Sequence, residues 1–405
     1  MAVGTGTLPV LHPVAGFRLG TTSAGVKTPG RQDLVVMELA KGATVAGVFT
    51  LNQFCAAPVQ MCKSHLSAVM PSYLLVNTGN ANAGTGKEGY ADALTCCQAV
   101  ADYAGVTVEQ VLPYSTGVIG EKLPVERITA AVPAAFAALA DDGWLDAASG
   151  IMTTDTRPKA YSMQFDYQGE TITLTGISKG AGMIKPNMAT MLAYVATDVT
   201  VGGGLLQKML KRSADLSFNR VTIDGDTSTN DSCMLVATGA SGLEVTEDNV
   251  ELFAKFNDAL DEIMLALAQA IVRDGEGATK FVTISVEQAA SSEEALQAAY
   301  AVAHSPLVKT ALFASDPNWG RILAAVGYAG VEQLDVDALQ IYLGDVCIVE
   351  NGGRAASYTE ESGQAVMNEE EITIHIVLNR GSNAETVWTT DLSKDYVAIN
   401  ADYRS

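Results

Sequence analysis

The residues of this 405-residue chain that could do chemistry are concentrated in one segment. It reads Ser178-Lys179-Gly180-Ala181-Gly182-Met183-Ile184-Lys185-Pro186-Asn187-Met188-Ala189-Thr190-Met191-Leu192. Two glycines and a Pro-Asn pair predict an irregular backbone, after which a threonine opens an apolar strand. A threonine hydroxyl is scarcely ionised at neutral pH and attacks poorly by itself. It becomes a nucleophile when it heads a chain, because its own α-amine, with a pKa of about 7.7–8, accepts the proton. Met1 heads this chain, so Thr190 gains that amine only through a cut at Ala189-Thr190. Such a cut is chemically available: the hydroxyl attacks the preceding carbonyl, the amide becomes an ester, and water releases the ester. Spacing alone leaves the plainer reading open, a loop and strand whose threonine only packs or hydrogen-bonds.

Other suggestive stretches fail on inspection. Gly79-Asn80-Ala81-Asn82-Ala83-Gly84-Thr85-Gly86-Lys87-Glu88 looks like a phosphate loop, but Ala81 stands where the first glycine belongs and Glu88 where the magnesium-binding hydroxyl belongs. Asp224-Gly225-Asp226-Thr227-Ser228-Thr229-Asn230 lacks the turn glycine of a calcium loop at its sixth position and has Leu235 in place of the bidentate glutamate. Asp224, Asp226 and Asn230 are expected to stabilise that loop. His12, His65, His304 and His375 lie far apart, and His375, within an apolar strand, reads as a satisfied core residue. No metal site is expected. The six cysteines form no Cys-x-x-Cys pair and read as buried free thiols in a reducing cytoplasm, which leaves the sequon at Asn230 without consequence.

Charge narrows the partners. With Lys+Arg 25 against Asp+Glu 46, the net charge is −21, which argues against a general nucleic-acid binder. An anionic substrate still needs only a local cation. The start of the chain lacks the basic and unbroken apolar stretches of a signal peptide. No window approaches the ~18 consecutive apolar residues of a membrane span.

The elements that position these residues mix helix and strand without a repeat. Strands are expected at 34–39, 44–50 and 73–77, a hairpin at 160–167 and 171–177 turning on Gln168-Gly169, and further strands at 191–197, 280–286, 340–347 and 371–379. Helices are expected at 91–103, 130–140, 205–217, 252–274 and 292–305. With 48% hydrophobic residues and no low-complexity linker, this predicts an α+β protein in which helices cover sheets and the domains dock closely.

The Lys179–Thr190 segment resembles the processing site of the ornithine acetyltransferases (glutamate N-acetyltransferases) of arginine biosynthesis. The likeness continues through 77–86, Ser115-Thr116-Gly117-Val118-Ile119-Gly120, Thr153-Thr154-Asp155-Thr156, 218–231, 274–281, 315–321 and the tail 396–405. These blocks stand in order and span most of the chain. The resemblance implies a layered helix–sheet–sheet–helix body, related to but distinct from the amino-terminal-nucleophile hydrolases. It implies self-cleavage into an α chain, 1–189, with the oxyanion-hole loop, and a β chain, 190–405, with a C-terminal sub-domain and docking tail, which stay together as a cytoplasmic α2β2 heterotetramer. Thr190 would then carry acetyl from N-acetylornithine to glutamate by ping-pong transfer. No cofactor is implied, and acetyl-CoA is left open as a second donor.

By the same resemblance, the Thr116 hydroxyl and Gly117 amide form the oxyanion hole. Thr153, Lys179, Thr190, Glu276, Asn400 and Ser405 contact substrate, with Lys179 on a carboxylate and Glu276 on an ammonium. Read without the family, Ser-Thr-Gly is an ordinary turn, Lys179 a solvated cation and Glu276 a surface carboxylate. The family often ends in threonine where this chain has Ser405, which keeps the hydroxyl. Trp319 and Arg321 read as architecture. The competing function is a self-processing aminopeptidase of the same architecture, in which water takes the acyl group; those enzymes normally place serine where Thr190 stands.

Overall fold

The computed structural model describes residues 2–185 and 191–402. They divide into two compact units. The larger comprises Thr7–Asn219 and Asp226–Ile271, the smaller Met1–Gly6, Arg220–Gly225 and Val272–Ser405.

The larger unit contains two main sheets. Strands Phe17–Thr22, Leu34–Leu39, Tyr73–Asn80 and Val111–Val118 form a four-stranded sheet in that spatial order. Its last pair is parallel, joined through helix Gly86–Ala104. The five-stranded sheet runs Thr44–Phe49, Ser232–Ala237, Leu192–Thr197, Glu170–Lys179, Lys159–Tyr167. Alternation of side chains along each strand sorts the apolar residues by face. Val35, Met37, Leu74, Val76 and Tyr114 from the first sheet share one core with Ile177, Leu192, Tyr194 and Met234 from the second. At its centre the rings of Tyr114 and Tyr194 meet edge to face at 5.2 Å.

The opposite face of the first sheet, with Leu34, Val36, Leu75 and Val111, packs on Cys97 and Val100 of helix Gly86–Ala104 and on Val132 and Ala135 of helix Val125–Ala137. Helices cover the outer face of the second sheet as well. Gln207 of Gly203–Leu216 exchanges hydrogen bonds with the Gly47 backbone, and Ser178 Oγ donates to Leu267 O of Val250–Arg273. The layers are therefore helix, sheet, sheet, helix, as expected.

The smaller unit holds a six-stranded sheet ordered Gly353–Arg354, Val346–Glu350, Gln340–Leu343, Glu371–Val377, Phe281–Ala289, Asn383–Thr390. Ile284, Ile341, Ile348, Ile374 and Ile376 bury one face against helices Ser292–Ala303, Pro306–Phe313 and Trp319–Gly327. The other face is partly open, which corrects the expectation for His375. It lies on that half-exposed face, 3.3 Å from Glu287 Oε2 and against the Tyr342 ring, rather than in the core.

Two further expectations need correction. The run 340–347 is not one strand but a hairpin that turns at Gly344, whose φ is +53°. Thr116 and Gly117 lie in strand Val111–Val118, not in a turn. The 160–177 hairpin is as expected, with Gln168 and Gly169 at φ +52° and +86°, the left-handed pair of a tight two-residue turn. All six cysteines are free; Cys62, Cys96, Cys97 and Cys233 are buried, Cys55 and Cys347 half-buried.

Candidate active site

Thr116 and Gly117 are brought to the end of a parallel strand pair, in register with Thr78 and Gly79, where the pairing is broken by a bulge at Gly79 and Asn80. Gly117 has φ +136°, and a Cβ there would stand 2.3 Å from the carbonyl carbon of Gly79. Only glycine fits that conformation and that approach. Lys179, the last residue of its strand, is buried and donates from Nζ to Thr116 Oγ1 at 3.2 Å. It is therefore not a solvated cation. A buried ammonium beside a hydroxyl and a Cβ-free backbone is suited to receive a carboxylate or a developing oxyanion.

Asp155 sits beneath this pair. Its Oδ2 accepts from Thr153 N at 2.9 Å, and its Oδ1 from Gly180 N at 2.7 Å and Lys159 Nζ at 2.5 Å. Burial by itself would push this carboxyl up, but Lys159 and Lys179, with the hydrogen bonds, outweigh it and hold it below the usual carboxylate range.

A polar network supports the loops around Thr116. Ser115 Oγ donates to Asn77 Oδ1 at 2.6 Å, and Asn77 Nδ2 donates to Asn80 O at 2.9 Å. Asn230 reaches into the same network, donating to Ala81 O at 2.6 Å and Ser115 O at 2.9 Å. It stabilises its loop as expected, and ties it to two others. The next residue, Asp231, is buried and accepts from Met191 N at 2.8 Å, while Ser232 N donates to Met191 O at 3.1 Å. Burial pushes the Asp231 carboxyl well up, against the opposing influence of the Met191 amide and Lys179.

In the smaller unit, Glu276 is buried and accepts from Asn400 Nδ2 at 2.7 Å. Asn400 lies in helix Lys394–Ala401, capped by Ser393. The start of that helix rests on Gly277, where a Cβ would come within 2.5 Å of Ser393 Oγ and 2.6 Å of Tyr396 N. Asp391 fixes the other side of the loop, accepting from Thr279 N at 2.8 Å and Lys280 N at 3.0 Å. Trp319 packs on the core and Arg321 Nη1 donates to Leu307 O at 2.9 Å, both architectural.

The structure thus groups Thr116, Gly117 and Lys179, with Thr153 joined to them through Asp155, and separately pairs Glu276 with Asn400. Ala189, Thr190 and Ser405 lie outside the described residues. Asp155 and Asp231 fall within the matching blocks, and their only sequence signal is an acidic residue among hydroxyl residues next to an apolar strand. Among the described residues no group of three His, Cys, Asp or Glu side chains is arranged to hold a metal, and no helix is long and apolar enough to cross a membrane.

A helix–sheet–sheet–helix body with a buried lysine–threonine pair against a cramped glycine defines a layered α+β protein with a site fit for an acyl group. The chain belongs to the ArgJ family, whose model matches residues 18–405. It is 61% identical to the arginine biosynthesis bifunctional protein ArgJ of Pseudomonas fluorescens, over 100% of both chains. The protein of that description from Pseudomonas syringae pv. tomato is likewise 61% identical over 100% of both. Among solved structures it is similar to an ornithine acetyltransferase from Mycobacterium tuberculosis complexed with ornithine, at 33% identity, covering 43% of this chain and 92% of that one with a TM-score of 0.38.

Proposed function

We infer that this chain is an ornithine acetyltransferase of arginine biosynthesis that transfers acetyl from N-acetylornithine to glutamate through an acetyl ester of Thr190. Family membership over residues 18–405 and full-length identity with arginine-biosynthesis proteins support the reaction. The observation that carries the mechanism is the 3.2 Å contact between Lys179 Nζ and Thr116 Oγ1 beside Gly117.

Self-cleavage comes first. The Thr190 hydroxyl adds to the Ala189 carbonyl, the C–N bond breaks, and the ester so formed is hydrolysed to an Ala189 carboxylate and a free Thr190 amine. In the first half-reaction that amine takes the proton as Oγ adds to the acetyl carbonyl of N-acetylornithine. The oxyanion is met by the Thr116 hydroxyl and Gly117 amide, and ornithine leaves with the proton. Glutamate's amine then attacks the acetyl ester, and Thr190 recovers its hydroxyl. The family resemblance assigns Thr153, Lys179, Glu276, Asn400 and Ser405 to substrate contact, with Lys179 for a carboxylate and Glu276 for an ammonium. The reaction needs no cofactor. The relatives are described as bifunctional, and the second activity in this reading is acetylation of glutamate with acetyl-CoA as donor. The cleaved pieces associate as α2β2 in the cytoplasm.

The test is to incubate purified protein with N-acetylornithine, with and without glutamate. Ornithine release that depends on glutamate supports transfer; release equally fast without it makes the protein a hydrolase. Activity should also rise with pH as the Thr190 ammonium loses its proton.

A further inference from the structure

Asp155 touches two segments assigned above to substrate, and no role has been given to it beyond those contacts. Its side chain is fully enclosed and both oxygens are occupied. One bond goes to the amide of Thr153, another to the amide of Gly180, the far end of the peptide that begins at the Lys179 carbonyl. Gly180 has φ +149°, so the chain leaves its strand at this point through a backbone that Asp155 anchors. The third bond goes to Lys159, the first residue of the neighbouring strand, which pairs with Ser178. Buried ion pairs are poor stabilisers compared with an apolar packing of equal volume. What this one supplies is geometry: a single carboxylate sets the distance between the Thr153 loop and the strand end that presents Lys179.

We propose that Asp155 is a positioning residue that aims the Lys179 ammonium at the α-carboxylate common to both substrates. The proposal rests on the substrate-binding role of Lys179 and deepens it. Because N-acetylornithine and glutamate both carry that carboxylate, loss of Asp155 acts on the KM of each.

The experiment is steady-state kinetics of Asp155→Asn and of the double variant Asp155→Asn/Lys159→Met, which removes the Asp155–Lys159 ion pair as a whole. Both should raise KM for the two substrates about tenfold while kcat stays within about threefold of the parent. In a Lys179→Ala background, Asp155→Asn should change KM by less than about twofold, because the group it works through is gone. Unchanged KM in the double variant would overturn the proposal, as would independent, multiplying effects of Asp155→Asn and Lys179→Ala. If Lys179→Ala alone leaves both KM values unchanged, the binding role of Lys179 falls, and this proposal falls with it; glutamate-dependent transfer itself is read separately from kcat.

Discussion

Gly117 is where backbone sterics and chemistry coincide. Its positive φ and the 2.3 Å that a Cβ would leave to Gly79 make substitution costly in both respects. Gly117→Ala should displace the amide from the oxyanion position and lower kcat about 10²–10³-fold, the range for loss of one such donor. Steady-state assays of the variant, with circular dichroism to establish that it folds, check this. An alanine variant with parental kcat would remove Gly117 from the mechanism. At this scale the sequence singles out Thr116, Gly117, Lys179 and Glu276 because a family block carries each. It is not legible for Asp155, because a lone acid among threonines has no spacing of its own. Its partners, two backbone amides and Lys159, are assembled only by strand pairing. His375 departs from the core expectation for a related reason: alternation places a residue on a face, but the packing partner decides whether that face is buried.

Loops and strand ends are held by few, well-buried polar contacts. Asn230→Ala would leave the Ala81 and Ser115 carbonyls without their donor in a buried setting, costing about 1–3 kcal/mol. A lowered midpoint in thermal or urea unfolding, with secondary structure intact, is the expected outcome. Lys309 offers a second test in the other unit. Its ammonium, buried in helix Pro306–Phe313, donates to Thr389 Oγ1 at 3.0 Å and to Thr390 O. Burial pulls it down from 10.5 to about 8, against the influence of Asp391 and Asp224. The folded state therefore binds fewer protons than the unfolded state between about pH 8 and 10.5, so stability gains from this residue as pH rises through that window. Lys309→Met should flatten that rise in unfolding midpoints measured from pH 7.5 upward; an unchanged slope would contradict the burial argument. Elements with a strong internal signal, such as the 160–177 hairpin, are visible in the sequence. The 340–350 hairpin is hidden because Gly344-Asp345 interrupts too short an apolar run, and strand 111–118 because Pro113 and Gly117 disguise a β segment.

On the scale of the molecule, the larger unit's Thr116–Lys179 group and the smaller unit's Glu276–Asn400 pair each draw on segments far apart in the chain. Thr116, Thr153 and Lys179 precede the proposed cut, while Glu276 and Asn400 follow it. Cleavage would not release the pieces. Strand Glu170–Lys179 is paired antiparallel with Leu192–Thr197 over six residue pairs, from Leu174 with Thr197 to Lys179 with Leu192, and Thr44–Phe49 pairs with Ser232–Ala237 in the same sheet. Residues from both pieces therefore share one core, including Tyr114 and Tyr194. The family resemblance implies the layered architecture and a C-terminal sub-domain; the bounds of the two compact units carry no sequence signal, because no linker marks them.

The central claim is that a severed Ala189-Thr190 bond creates the amine that later serves the same threonine as its base. Intact mass of active enzyme, denatured after exposure to N-acetylornithine without glutamate, tests it directly. The account predicts two masses, residues 1–189 unmodified and residues 190–405 heavier by one acetyl group. A single uncut chain of 42.4 kDa in a fully active sample would contradict it.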